Sequence, residues 1–267
     1  MRCLCSRSSN VYSGPITVSS SETLNALAVT SGGFFTAIAT APYTITDAAP
    51  TIDYTSGFNA TNLDLDYDIA IVSGSLQLSA GNVHQMGTAW YATPVNVQAF
   101  TSDFNYQANS PVADGITFAI QNSSAGIWAL GGDGDNLGYG GIDTSAAIKF
   151  DFYNNAGEGT DSTGFYTNGA SPIIPALDMT ASGVILRSGD LMHVHITYNG
   201  TTLTWTITDT VTNATFTASA VANIPAIVGG NTAYVGLTGS TGTYTSTQYV
   251  SDWTYISGCL LYTSRCV

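Results

Sequence analysis

A chain of 267 residues can bury a sizeable core, in one large sandwich or in two domains. Its 18 acidic and 5 basic side chains give a formal charge of −13, which argues against nucleic acid, whose phosphates need basic patches, and against an anionic membrane surface. Charged residues make up only 9% of the chain, so Thr, Ser, Asn and backbone must cover most of the surface; the 28 Gly, abundant Thr and Tyr, and scarce Lys and Glu point to an all-β, secreted protein.

The chain opens on MRCLCSRSSN, an unpatterned leader over residues 1–10 that reads as a foreign or truncated end. It leads into no apolar h-region, so no signal peptide is legible and an extracellular location rests on composition. Nor is there a run of 18 apolar residues, so no membrane insertion is expected. Residues 11–46 contain two or three short strands broken by Gly-Pro and Gly-Gly turns, too little to bury a core alone. Pro50 is a plausible join to a longer domain over residues 51–256.

That domain is a series of short alternating runs. Strands are predicted over YDIAIVSGSLQL (67–78), from Val95 to Tyr106, over the nearly continuous apolar run from Gly115 to Ile120, and from Ala146 to Tyr153. HVHITYNGTTLTWTITD reads as a hairpin turning at Asn199-Gly200 with positive φ at both. Val194, Ile196 and Tyr198 then share one face before the turn, and Leu203, Trp205 and Ile207 share one after it. No segment keeps a 3.6-residue period, so the sheets should be antiparallel and stacked, a β-sandwich. The pattern stops at Ile256, and residues 257–267 form an unpatterned tail. All four cysteines (Cys3, Cys5, Cys259 and Cys266) lie at the two ends, where spacing does not define a pairing.

Three segments carry candidate chemistry. In FDFYNNAGEGTD, Asp151, the Tyr153 carbonyl, Asn155 and Asp161 could supply four oxygens to a hard cation such as calcium, with Glu158 the rival to Asp161. Asn, Gly and Asp are also turn formers, and a plain turn explains the loop without a ligand. In ADGITFAIQN, Asp114 precedes a strand that should be buried; it is either an exposed strand start or an acceptor at a cleft. LGGDGDNLGYGG is a glycine-rich loop that permits close approach of a ligand, or a simple turn; lacking GKS or GKT and a strand–helix context, it is no phosphate loop.

Taken in order, ADGITFAIQN, GGDGDNLGYGG, AAIKFDFYNN and YVGLTGSTGTYTSTQYVSDWTY resemble the L-type (legume-like) lectin domain, of the bacterial type, over residues 52–256. The resemblance implies a jelly-roll-like antiparallel sandwich (concanavalin A-like) that binds a glycan or polysaccharide beside calcium, without catalysis. It implies that Asp114 accepts hydrogen bonds from sugar hydroxyls, that Gly134 (Gly132 as rival) donates a backbone N–H, that Tyr153 packs on the ring and that Asn155 donates its amide. Asp151, Tyr153, Asn155 and Asp161 would hold calcium, with Asp161 matching only if the loop carries one extra residue. The loop from Gly239 to Gln248 resembles the variable rim. Plant members have glutamate where this chain has Lys149, and an ammonium has no lone pair to give a metal. No histidine follows Asp161 at the family's place either, so no transition metal is expected. Members often dimerise edge to edge, which makes a homodimer one expectation.

The 11–46 zone resembles part of the small β-domain attached to chitobiases, which would make the chain a fragment of a larger extracellular protein. Two further functions stay open: a β-sandwich glycosidase, which needs a pair of carboxyls across a cleft, and a structural or adhesion domain without a working sugar site. His193 and His195 share a strand face without an evident third ligand and read as structural. Asp64, Asp66 and Asp68 read as a solvent-facing edge. Trp128, Trp205 and Trp253 read as core or partly buried, and Trp90 as core or rim.

Overall fold

The computed structural model describes Ser13 and residues 22–43, 51–110 and 112–258. The four cysteines, the residues 1–10 leader and the tail beyond Gly258 lie outside the described residues. Contacts divide the chain into two units, Met1–Ala48 and Ala49–Val267. In the first, Glu22–Ala26 pairs antiparallel with Ala39–Tyr43, and Phe34 and Phe35 between them are exposed, because a two-stranded ribbon has no second layer to cover them.

The second unit is built from two eight-stranded antiparallel sheets. One runs Leu177–Asp178, Ser162–Thr167, Ser145–Asp151, Gly115–Gln121, Thr232–Ser240, Met86–Tyr91 and Leu63–Tyr67, with Val95–Asn96 paired to Thr232–Ser240. The other runs Thr215–Val221, Thr202–Asp209, Met192–Tyr198, Phe100–Asn109, Thr247–Ser257, Ser75–Ala80 and Ala70–Val72, with Ile52–Asp53 paired to Thr247–Ser257. One four-residue α-helix, Ile224–Ile227, is the only α-helix among the described residues. No helix there is long and apolar enough to cross a membrane.

Alternation sets the layers. In Phe100–Asn109, Phe100, Phe104, Tyr106 and Ala108 point inward and join Ile116, Phe118, Ile148, Phe150, Val194, Ile196 and Trp205 in the main core. Burying each large apolar side chain contributes about 1.5–3 kcal/mol. Gly115–Gln121 and Ser145–Asp151 are buried at every position. Their outward side chains Ala119 and Ala147 lie in a second cluster with Trp90, Ala129, Tyr139, Ile142 and Tyr166. That cluster forms because residues 122–144 cross back over the sheet, held by Trp90 Nε1–H donating to the Ala129 carbonyl and Thr238 Oγ1–H donating to the Leu137 carbonyl. Midway along it, at Gly134, the crossing segment reaches the end of the sheet where Asp114 and Asp151 emerge, through Ser240 opposite Gly115.

Several expectations change in detail. The strand expected from Val95 divides into Val95–Asn96 and Phe100–Asn109, and Ser145–Asp151 ends before Tyr153. The hairpin turns one residue later than expected: Asn199 N–H donates to the Thr202 carbonyl, and only Gly200 (φ 96°) is left-handed. That places glycine first of a Gly200-Thr201 pair, the pattern of a type II′ turn, while the Asn199 side chain accepts from Thr201 and Thr202 N–H. The last strand runs to Ser257.

Trp205 and Trp253 are buried in the main core and Trp90 in the second cluster. Trp128 is instead 72% exposed, since the inner side of its short turn is taken by Ala129, whose carbonyl receives Trp90. Asp64 and Asp66 sit half-buried on the edge strand Leu63–Tyr67, each with one buried oxygen that makes no hydrogen bond. Burial and the neighbouring Asp64 push the Asp66 carboxyl up. His193 and His195 face outward, both against Asp103 of the neighbouring strand (3.3 and 2.7 Å).

Candidate functional site

The candidate residues emerge at one end of the first sheet because of a single close pairing. Gly115 lies opposite Asp151, and a Cβ on Gly115 would fall 2.2 Å from the Phe150 carbonyl oxygen and 2.8 Å from Asp151 Cα. Only glycine allows the two strands to approach this closely. Asp114, one residue earlier, is joined across the gap by its carbonyl accepting from Phe152 N–H (2.9 Å), and its own N–H donates to the Ser240 carbonyl (3.4 Å). The Ala113-Asp114 peptide is cis.

Asp114 is 3% exposed, and its Oδ2 makes no hydrogen bond. Burial pushes its carboxyl up to about 7; the Asp151, Asp135 and Asp133 charges add to this, while the facing Gly242 amide works against it. Gly242 borders this oxygen, and Gly134 lies on the other side of Gly242. A Cβ on Gly242 would lie 3.2 Å from Asp114 Oδ2 and 3.3 Å from Gly134 Cα. Gly134 (φ 58°) opens a short turn, Gly134–Asn136, of the crossing segment. It is fixed by Ser240 Oγ–H donating to its carbonyl (2.7 Å) and by its own N–H donating to the Thr241 carbonyl (3.2 Å). Gly134 thus stands near Asp114, but the N–H expected to reach a sugar is already engaged, and so is that of its rival Gly132, which donates to the Gly140 carbonyl. Gly134 shapes the site by its close approach to Gly242, whereas Gly132 packs on Asn136.

The Tyr153 ring lies 5.4 Å from that of Tyr244, tilted by 35°. Tyr244 is half-exposed and comes from the Gly239–Gln248 loop. At the rim, His84 Nδ1 meets Asp133 Oδ2 at 2.8 Å, and His84 N–H donates to the Gly242 carbonyl (2.9 Å). Asn155 stands exposed further along its loop, held by its N–H donating to Glu158 Oε1 (2.9 Å). Ala156 N–H donates to the other Glu158 oxygen, and Gly157 N–H to Asn154 Oδ1. Glu158 is buried and caps the loop.

Both expected calcium carboxylates are already engaged. Asp151 receives Lys149 Nζ at 3.0 Å on one oxygen and Tyr153 N–H at 3.0 Å on the other. Burial pushes Asp151 up to about 6 against the pull of Lys149. Asp161 is buried beside Arg187, whose N–H donates to Oδ1 (3.3 Å) and whose Nε lies 3.6 Å from Oδ2. Each carboxylate therefore faces a basic side chain where a calcium ion would need its lone pairs. Among the described residues no group of three or more His, Cys, Asp or Glu is placed to hold a metal ion. With both of its carboxylates paired to basic side chains, the set carried over as ligands does not, as it stands here, fit the ion.

Lys149 entered the sequence reading only as a departure from a metal site, and Arg187 was missed. The signal for both was present: between residues 51 and 256 they are the only Lys or Arg.

The legume lectin domain family matches residues 53–259. Among solved structures, the lectin from Bauhinia forficata in complex with GalNAc is 19% identical with a TM-score of 0.66, covering 78% of this chain and 97% of that one. Peanut lectin with a nine-residue peptide is 20% identical with a TM-score of 0.66, covering 80% and 98%. The metal-free form of lectin I-B4 from Griffonia simplicifolia is 18% identical with a TM-score of 0.66, covering 78% and 99%. These likenesses place the two sheets in the jelly-roll sandwich of legume lectins.

Proposed function

As this chain belongs to the legume lectin domain family, we propose that it binds the non-reducing end or an exposed ring of a glycan, without catalysis, in an extracellular setting suited to its acidic, Thr- and Gly-rich composition. The observation that carries this is Asp114: a carboxylate 3% exposed at the end of the sheet, whose Oδ2 makes no well-formed hydrogen bond within the chain and lies beside Gly242. A buried acceptor left unsatisfied is costly and is kept where a ligand supplies the donor. Sugar hydroxyls are such donors, and the Tyr153–Tyr244 pair offers an aromatic face to the weakly apolar C–H side of the ring. The exposed Asn155 amide and the tyrosine hydroxyls supply the complementary donors.

Burial of the acid partners favours binding over glycoside hydrolysis. A hydrolase needs two carboxyls free to act across the bond, yet Glu158 is committed to backbone N–H groups and Asp151 to Lys149. The Bauhinia forficata relative is in complex with GalNAc, which makes N-acetylgalactosamine and galactose the first sugars to try. The test is a glycan array probed with labelled protein, with hits confirmed by calorimetry and reducing-end release measured on the same glycans. Selective, saturable binding without release supports the proposal. A silent array, or release of reducing ends, overturns it.

A further inference from the structure

Resting on the carbohydrate-binding reading, we infer that Lys149 and Arg187 hold the site loop Phe152–Asp161 in place of a divalent cation, so that glycan binding by this chain requires no metal. The two side chains act as positioning residues, through Asp151 and Asp161.

The distribution of charge motivates this. The chain has five Lys and Arg residues, and the only two between residues 51 and 256 point at the two buried carboxylates of one loop. Lys149 has no exposed surface. It leaves Ser145–Asp151 on the side opposite Ile148 and Phe150, and lies across from Gly164, where a Cβ would fall 2.8 Å from the Tyr166 hydroxyl and 3.1 Å from the Pro175 carbonyl, so that only glycine lets these two close in beside it. The segment carrying Ile173 and Pro175 closes over it. Lys149 Nζ donates to Asp151 Oδ2 (3.0 Å) and to the Ile173 carbonyl (2.9 Å), and stands 5.9 Å from the centre of the Tyr166 ring. Tyr166 O–H in turn donates to the Pro175 carbonyl (2.6 Å). A buried ammonium is retained only with such partners, because an unpaired one costs far more than the fold can offset.

At the other end of the loop, Arg187 is half-exposed and holds the buried Asp161 from the solvent side through its main-chain N–H and guanidinium. Between the two ion pairs the loop closes on itself through Glu158 and Asn154. Two monovalent cations built into the chain thus meet the charge that a divalent ion would otherwise meet. Asp151 is also tied to the binding end: its Oδ1 takes Tyr153 N–H, and Gly115, next to Asp114, lies opposite it. Fixing Asp151 fixes the Tyr153 peptide and the strand that presents Asp114.

The experiment uses purified chain stripped with chelator and then titrated with calcium by calorimetry, with melting temperature and glycan affinity followed with chelator and with millimolar calcium. The wild type should give no saturable calcium heat, and neither melting nor affinity should change by more than the error of the measurement. Arg187→Gln, at a half-exposed position that tolerates substitution, should lose glycan affinity about fivefold or more and acquire a calcium-dependent rise in melting temperature, with Arg187→Lys restoring most of the affinity. Lys149→Glu should melt below wild type and be partly restored by calcium. A saturable calcium site in the wild type, chelator-sensitive melting, or an Arg187→Gln variant that binds glycan as the wild type does would overturn the inference. The calcium heats and melting curves need no sugar. Calcium binding alongside good glycan affinity therefore sinks this inference alone, whereas a silent array sinks the carbohydrate reading.

Discussion

Gly242 offers a perturbation whose size follows from the geometry. Replacing it with alanine puts a methyl 3.2 Å from Asp114 Oδ2 and 3.3 Å from Gly134 Cα. A sugar hydroxyl bonded to that oxygen needs to approach to about 2.7 Å, so methyl and hydroxyl compete for one space. A hydrogen bond to a charged acceptor is worth about 1.5–3 kcal/mol, and losing it should weaken glycan binding roughly ten- to a hundredfold. The fold should register little. Gly242 is partly exposed and outside the left-handed region, so its neighbours need give only a few tenths of an ångström, at a cost of about 1 kcal/mol or less. The assay pairs calorimetry against the best array sugar with a melting curve for each protein. A folded Gly242→Ala variant that binds within twofold of wild type would refute the placement of the ligand at Asp114 Oδ2.

Three other changes separate structure from recognition. Gly115→Ala should be severely destabilising, by about 3 kcal/mol or more, because its methyl meets backbone at 2.2 Å where neither strand can retreat without breaking the pairing; a melting temperature within a few degrees of wild type would contradict this. Tyr244→Ala removes a half-exposed ring that touches Tyr153 and should cost glycan affinity about two- to tenfold, on the order of 0.5–1.5 kcal/mol, with melting unchanged; equal affinity would remove Tyr244 from the site. Stability should fall as pH rises. Asp114 (about 7) and Asp151 (about 6) both titrate above the roughly 3.9 of an unfolded aspartate. The folded state then holds more protons between those values, and the stability is full below about pH 4 and lost as pH passes 6 to 7. His193, raised first by its hydrogen bond to Asp103, acts in the same direction. Melting temperatures that stay flat or rise from pH 5 to pH 8 would contradict these environments.

Most of the fold was legible because it is written locally. Val194, Ile196 and Tyr198, and after the turn Leu203, Trp205 and Ile207, alternate strictly and all prove buried. The run from Gly115 to Ile120 is continuous rather than alternating, and it proves to be a strand covered on both faces. Residues set by long-range packing were not legible in the same way. Trp128 read as core or partly buried, but it is exposed, while its neighbour Ala129 is the residue packed in the second cluster with Trp90. Asn199-Gly200 named the hairpin while misplacing its turn by one residue, since the Asn199 side chain caps Thr201 and Thr202.

The site divides along the same line. Asp114 and Tyr153 could be placed near one end of the sheet from the sequence, because each lies within two residues of a strand end, Gly115 and Asp151. The partners of Asp151 and Asp161 could not. Lys149 lies two residues from Asp151, but its burial depends on the Ile173–Pro175 segment crossing above it. Arg187 reaches Asp161 from 26 residues away. A cation loop and a loop held by ion pairs differ little in local sequence; what distinguishes them is where the basic side chains end up.

The most direct measurement is calorimetric titration of wild type and Asp114→Asn with the same array-selected sugar. Asparagine keeps the shape but removes the charged acceptor. The account predicts at least tenfold weaker binding, with a melting temperature equal to or above wild type because a buried, unpartnered carboxylate has been removed. Unchanged affinity in a folded Asp114→Asn protein would contradict the claim that this carboxylate receives the glycan.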